Sequence, residues 1–297
     1  MEIIQVKSAD QSAYFEIIPS VGGMLSQLNW SGDDLMKIPF AKKFPLATNP
    51  YHPSALLSPW VNRVRNGNYS FEGRNYQLPI NEENLGNAIH GLLARKPFSY
   101  QIEGSKAIVR YAYQAEEKAY PFPFETALTY EFDANNVFHL QFEAKNTGDG
   151  NMPFACGWHP YFRLPAGELA DWTIRFDSIS KFHSDSQMIP LREEYYDASH
   201  GVNLGEETLD NVFRLKPMDK HLTVFENGTT KLTLEQSSND FPFLVVFAPE
   251  NENCLAIEPM TANTDAFNTG DGLRILAPGE KFQSTVKIWF SKADNSH

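Results

Sequence analysis

Four stretches of the chain carry polar or titratable side chains where an all-apolar strand would serve packing alone. Glu258 follows Leu255-Ala256-Ile257 and precedes Pro259, which places it near the end of a buried strand. A carboxylate there is either half of a structural ion pair or a base whose pKa is raised by burial. His159 lies between Trp158 and Pro160-Tyr161-Phe162, where an imidazole is either a satisfied core residue or a proton donor. His90 precedes Gly91 within Asn87-Ala88-Ile89-His90-Gly91, as in a loop where a ring approaches backbone or ligand. Arg63 and Arg65 alternate with valines after Ser58-Pro59-Trp60. A strand would send both to one face, and the plainer reading is a solvated face.

Other chemistries lack support. Cys156 and His159 have C-x-x-H spacing, but no second pair at metal-ligand spacing follows. There is no G-x-G-x-x-G, Walker A or G-x-S-x-G motif, so nothing favours nucleotide binding or serine hydrolysis. No cofactor and no metal are expected.

The elements that must hold these residues read as strands. Thr126, Leu128, Tyr130 and Phe132 share one face, Asp133-Ala134-Asn135-Asn136 reads as a turn, and Phe138, Leu140, Phe142 and Ala144 continue the pattern. Further strands are expected at Tyr69–Phe71 and Tyr76–Leu78 around Gly73, and at Ile108–Tyr113, Trp172–Phe176, Leu222–Phe225, Lys231–Glu235, Phe243–Phe247 and Phe282–Phe290. A single helical turn is expected at Asp33–Met36 and a polar loop at Glu193–Gly205. No stretch of 12 or more residues has capped helical periodicity, and 19 prolines and 18 glycines punctuate the chain. An all-β fold of one domain over residues 1–297 follows, a large antiparallel β-sandwich.

Composition narrows the partners. With 42% hydrophobic residues the 297-residue chain can bury a sizeable core. The net charge of −12 opposes phosphate backbones and anionic lipid, so neither nucleic acid nor membrane is an expected partner. Met1–Asp10 lacks the basic and apolar regions of a signal peptide, and no window is apolar enough for a membrane helix. Two cysteines, Cys156 and Cys254, are too few for a disulfide framework. The cytoplasm is the expected compartment, with the two thiols structural and close to the site.

Taken in order, Pro19-Ser20-Val21-Gly22-Gly23, Asn62-Arg63 before a hairpin, His90-Gly91, His159 ahead of Tyr161-Phe162, and Ile257-Glu258-Pro259 resemble the aldose 1-epimerase (galactose mutarotase-like) family over almost the whole chain. The resemblance implies a large twisted antiparallel supersandwich with a monosaccharide on its concave face, in a monomer or homodimer. It implies Glu258 as general base, His159 as general acid, and His90 and Arg63 as contacts to sugar hydroxyls and the ring oxygen. Leu209-Asp210-Asn211-Val212-Phe213 is similar to the segment whose aspartate binds hydroxyls, which adds Asp210. Trp158 and Pro160 flank His159 where the galactose-type subgroup commonly has Asn and Ser, and Met260 stands where it has Gln. The acid–base pair is thus kept while the sugar is left open.

Mutarotation needs one acid and one base: a proton leaves the C1 hydroxyl, another reaches the ring oxygen, and the opened ring recloses on the other face of C1. The alternatives are a hexose-phosphate 1-epimerase of the same fold using Arg63, Arg65, Arg95 or Lys96 to hold the phosphate, and a non-catalytic carbohydrate-binding sandwich. A glycoside-cleaving enzyme would need two opposed carboxylates, for which only Glu258 and Asp210 are available.

Overall fold

Strands with one wet and one buried face dominate the computed structural model, which describes residues 1–292. In Phe124–Phe132 and Phe138–Asn146, burial alternates residue by residue, and Phe132 pairs with Phe138 across the expected turn. That turn is held by Asp133 Oδ1, which accepts the Asn135 and Val137 N–H groups at 2.8 and 2.9 Å. The hairpin at Gly73 turns in two residues, Glu72 and Gly73, both at positive φ (47° and 74°), a conformation that glycine adopts without steric cost.

Two large antiparallel sheets carry most of the chain. The nine-stranded sheet runs Ser99–Glu103, Lys106–Tyr113, Phe124–Phe132, Phe138–Asn146, Lys281–Lys292, Thr230–Gln236, His221–Glu226, Thr173–Phe176 and Ala198–Asn203. The eight-stranded sheet runs Pro190–Tyr195, Ser178–Ser184, Asp210–Leu215, Phe243–Phe247, Leu255–Met260, Gly157–His159 and Ala55–Leu57, with Tyr161–Phe162 also paired to Leu255–Met260. Their facing sides share one apolar core, reaching from Val6 to Ile288. Phe176 of the first sheet meets Phe213 of the second edge to face, with centroids 5.0 Å apart.

Two expectations are corrected. Asp33–Met36 is not helical: Ser31 and Gly32 make a tight turn at positive φ, and Asp33–Asp34 pairs back onto Met24–Trp30. Glu193–Gly205 is not a loop either. Pro190–Tyr195 and Ala198–Asn203 are the outermost strands of their sheets, and solvent on the open side accounts for their polar composition. The four-stranded sheet that begins Ile4–Lys7, Ala13–Ile18, Met24–Trp30 is an addition to the strands read from the sequence.

Candidate functional site

Period-two geometry sorts the eight-stranded sheet into a core face and a site face. On Leu255–Met260, Leu255 and Ile257 join the central core, which leaves Ala256, Glu258 and Met260 on the other side. Trp158 likewise enters the core, so its neighbour His159 points the opposite way. Gly157 pairs with Met260 and Tyr161 with Ala256, and His159, midway between, is carried opposite Glu258. Val245 pairs with Glu258 and Asp210 with Phe247, adding those side chains to the same face. The result is a cavity of ≈ 180 Å³ lined by Glu258, His159, Asp210, Val245 and Phe247, together with Arg63 and His90.

At its floor His159 Nε2 lies 3.3 Å from Glu258 Oε1, with the two side chains 6% and 2% exposed. Among the described residues, Glu258 Oε2 has no hydrogen-bond partner, nor has Nδ1 of His159 or His90. Burial drives the Glu258 pKa well above the ordinary carboxylate range, reinforced by the Asp210 charge and opposed by Arg63. Burial also depresses His159 to about 3, with further lowering from the His52 and Arg63 charges. His90 is held well below its ordinary value, first by burial and then by His52, His159 and Arg63. Asp210 stands at the rim: solvent reaches it, yet the concave walls raise its pKa, against the pull of Arg63. Burial thus favours the neutral form of each member of the pair, a protonated Glu258 beside an uncharged His159.

Arg63 enters on the two-residue strand Arg63–Val64, which pairs with Ala88–Ile89. Its guanidinium is gripped by Glu82, Nε to Oε2 at 2.8 Å and Nη2 to Oε1 at 2.8 Å, while Nη1 donates to Asn62 Oδ1 at 3.1 Å. Asn87 donates to Glu82 Oε2 at 3.1 Å and so fixes the carboxylate from behind. Below the strand, Asp265 donates its N–H to the Arg63 carbonyl at 2.7 Å and accepts the Arg65 N–H at 2.9 Å. The strand ends at Val64, and Arg65 turns away to Asp185 Oδ2 (2.6 Å) and Gln187 Oε1 (2.7 Å). The two arginines therefore do not share a face.

His90 is set by its neighbour Gly91. The His90 N–H donates to the Asn62 carbonyl at 2.8 Å, and the Leu92 N–H donates to the Ser58 carbonyl at 2.7 Å. This brings Gly91 so close that an added Cβ would stand 2.1 Å from the Ser58 oxygen, at φ +71°. Gly91→Ala must therefore shift the His90 loop, and it is expected to cost about 3 kcal/mol of stability. Urea unfolding at neutral pH measures this; a loss under about 1 kcal/mol would show that the loop yields freely.

Of the residues singled out in the sequence, Glu258, His159, His90, Arg63 and Asp210 converge on the cavity. Arg95 lines an adjoining cavity, while Lys96 lines neither. Cys156 and Cys254 are free and buried, each just ahead of a site strand. Cys156 belongs to the core, on the opposite side of the sheet from His159, so the C-x-x-H spacing does not converge. Burial raises both thiols, Cys254 to about 12.

Sequence reasoning missed three contributors. His52 meets His90 with ring centroids 4.8 Å apart, and His90 meets His159 at 5.1 Å. Glu82 orients Arg63, and Tyr161 stacks on His159 at 5.0 Å with its hydroxyl donating to the Tyr51 carbonyl. Pro50 and Pro53 around Tyr51-His52 were the available signal for a tight loop there. Glu82, 19 residues from Arg63, had none.

The sequence pattern of the family described as aldose 1-epimerase matches residues 9–289. The chain is 25% identical over 292 residues to the protein YihR of Escherichia coli (strain K12), spanning 96% of this chain and 93% of that one. Its fold is similar to that of a galactose mutarotase-like protein from Clostridium acetobutylicum, with a TM-score of 0.85, 21% identity and 99% of each chain covered. It is also similar to galactose 1-epimerase from Lactobacillus acidophilus NCFM, with a TM-score of 0.81, 17% identity and 99% of each chain covered.

Proposed function

The chain belongs to the aldose 1-epimerase family, and from that premise we propose that it interconverts the α and β anomers of a free monosaccharide, with Glu258 as general base and His159 as general acid. The observation that carries this reading is the buried Glu258–His159 pair, 3.3 Å apart and facing one cavity. A purely structural ion pair would gain nothing from a buried carboxyl oxygen left unpartnered among the described residues, which costs stability unless a ligand uses it. The imidazole beside it supplies the second proton carrier that mutarotation needs.

The proton count fits the reaction. The pair at rest holds one proton, and moving it from Glu258 to His159 creates base and acid together with no change in net charge. Glu258 then takes the proton of the C1 hydroxyl while His159 protonates the ring oxygen. The C1–O5 bond breaks, the aldehyde rotates, and reclosure runs both transfers backwards, restoring the pair. Arg63, locked by Glu82, and His90 hold hydroxyls or the ring oxygen, and Asp210 accepts a hydroxyl at the rim. Each such contact contributes on the order of 1 kcal/mol or more in a desolvated site. A sugar phosphate is less well served, because Arg65 is already occupied by Asp185.

Polarimetry on freshly dissolved glucose and galactose tests the activity directly; no acceleration of mutarotation by the purified protein for any aldose would end the proposal. The pH dependence should be a wide plateau. The one-proton pair gains its second proton only below the ordinary histidine range, since His159 is depressed to about 3. It loses its proton only above the ordinary carboxylate range, since Glu258 is raised. A narrow bell centred near pH 5, with limbs at ordinary Glu and His values, would contradict a neutral, desolvated pair.

A further inference from the structure

The hairpin joining Ser178–Ser184 to Pro190–Tyr195 lies at the outer end of the eight-stranded sheet, and its tip, residues 185–189, lines no part of the cavity. We propose that this tip is a clasp for Arg63, with Gln187 as its positioning residue. Acting through Asn87 and Glu82, it fixes the direction from which the Arg63 guanidinium meets the substrate. The proposal rests on the reading of Arg63 as a sugar contact and extends it to the residues that set its geometry.

The ribbon that carries Arg63 needs such a support. Arg63–Val64 pairs with Ala88–Ile89 through two residues on each side, and an isolated two-stranded pairing is marginal in water even when longer. One residue of the hairpin tip clamps both strands at the same end. Gln187 Oε1 accepts from Arg65 Nη1 at 2.7 Å, and its Nε2 donates to Asn66 Oδ1 at 3.1 Å; both partners directly follow Arg63–Val64. The same Nε2 donates to the Leu85 carbonyl at 3.0 Å, and the Gln187 carbonyl accepts from Asn87 Nδ2 at 2.8 Å. Leu85 and Asn87 lead into Ala88–Ile89. A tip that merely braced the fold would reach into the core, whereas these partners all border Arg63.

From Gln187 the chain of contacts runs inward without a gap. Asn87 is fully buried and divides its Nδ2 between the Gln187 carbonyl and Glu82 Oε2, at 2.8 and 3.1 Å. Glu82 in turn holds both edges of the Arg63 fork. The tip itself is built to stay in place: Asp185 Oδ1 accepts the N–H groups of Gln187 and Ile189 at 2.9 and 3.1 Å, while Oδ2 accepts from Arg65 Nη2 at 2.6 Å. A guanidinium presents its donors in one plane, so a tilt of that plane misdirects all of them together. Misplacement of a substrate-positioning group by about 1 Å can cost on the order of 10² in rate.

The experiment follows exchange of the Arg63 Nε–H with water by heteronuclear NMR of the full chain, the signal being assigned by its disappearance in Arg63→Lys. The Arg214 Nε–H, bonded to Glu193 at 2.8 Å on the same hairpin, is the reference. Gln187→Ala should speed exchange at Arg63 about tenfold and leave Arg214 within about twofold, a local opening rather than a global one. Arg65→Gln, which opens the clasp from the other side, should reproduce this. An Arg63 signal unprotected in the wild type, no acceleration in either variant, or equal acceleration at both arginines would overturn the clasp. Turnover gives a second arm. Gln187→Ala should lower kcat/KM for the better of glucose and galactose about tenfold, yet add almost nothing in an Arg63→Lys background, because its effect passes through the guanidinium. Losses that multiply in the double variant would make Gln187 a structural brace and overturn the proposal. Should no aldose be turned over, the proposed activity fails on its own, and the exchange rates still decide the clasp.

Discussion

Replacing Glu258 by glutamine is expected to lower kcat by about 10³-fold, within the 10²–10⁴ range over which a positioned base contributes. Glutamine preserves the volume and an oxygen acceptor beside His159 but cannot take a proton. Sugar affinity should change only a few-fold, because Arg63, His90 and Asp210 are untouched. The fold should be retained, since the variant removes a carboxyl whose ionised form burial disfavours, and its thermal midpoint should not fall. The rate of optical rotation change after dissolving α-glucose or α-galactose gives the first quantity, and a thermal scan gives the second. A variant turning over within tenfold of wild type would assign the base elsewhere, with Asp210 at the rim the next candidate. His159→Asn should lose a comparable factor. If the two groups act as one proton-sharing unit, the double variant should be little worse than either single one.

The second large effect is on stability, and it comes from the same burial. Histidines of the unfolded chain titrate near 6.5, whereas in the fold His159 is depressed to about 3, His52 to about 4, and His90 well below its ordinary value. As pH falls below about 6.5 the unfolded chain therefore takes up protons that the folded chain refuses, and stability falls with it. Glu258 acts in the opposite sense. Its raised pKa keeps it protonated in the fold above pH 4.5, where an unfolded glutamate has ionised, so its contribution is complete below that value and fades as pH rises. Asp210 follows Glu258 at lower pH. Four histidines count on the side of proton uptake, because burial also lowers His221. Set against one or two carboxyls, they leave a net uptake of at most about two to three protons on unfolding, a stability slope of up to about 4 kcal/mol per pH unit between pH 6 and 5. Urea midpoints at pH 7, 6 and 5 measure it, and His52→Gln should reduce the slope by about one proton's worth. A flat profile over that interval would mean that the cavity histidines are charged in the folded protein.

The pair at the centre of both predictions is legible in the sequence because a titratable residue inside an apolar run breaks a regular pattern. Once Leu255 and Ile257 are assigned to the core, the position of Glu258 on the opposite face follows from the pleat alone, as does that of His159 beside Trp158. What the pleat does not specify is which strands become neighbours. The opposition of His159 and Glu258 depends on a register joining residues about 100 positions apart, and it emerges only with the sheet. Loop-borne partners are less legible still. The grip of Glu82 on Arg63 and the contact of His52 with His90 carry no periodic mark, because loops are specified by local turns whose mutual placement is tertiary. The misassigned Glu193–Gly205 stretch has a related cause, since an outermost strand needs few apolar residues and its composition resembles that of a turn.

The position of Lys281–Lys292 has a consequence for how such a protein is made. This strand, which follows every other strand of the nine-stranded sheet in chain order, inserts between Phe138–Asn146 and Thr230–Gln236 in the middle of that sheet. Until it arrives, the nascent chain holds two half-sheets, each ending in an unpaired edge of aromatic and branched residues with nothing to close it. Local hairpins such as Phe124–Asn146 can form early, but the joining step waits for synthesis to pass Trp289 and pairs residues about 140 positions apart. Premature termination anywhere before Lys281 therefore leaves two sheet edges unpaired rather than a slightly shorter copy of the fold.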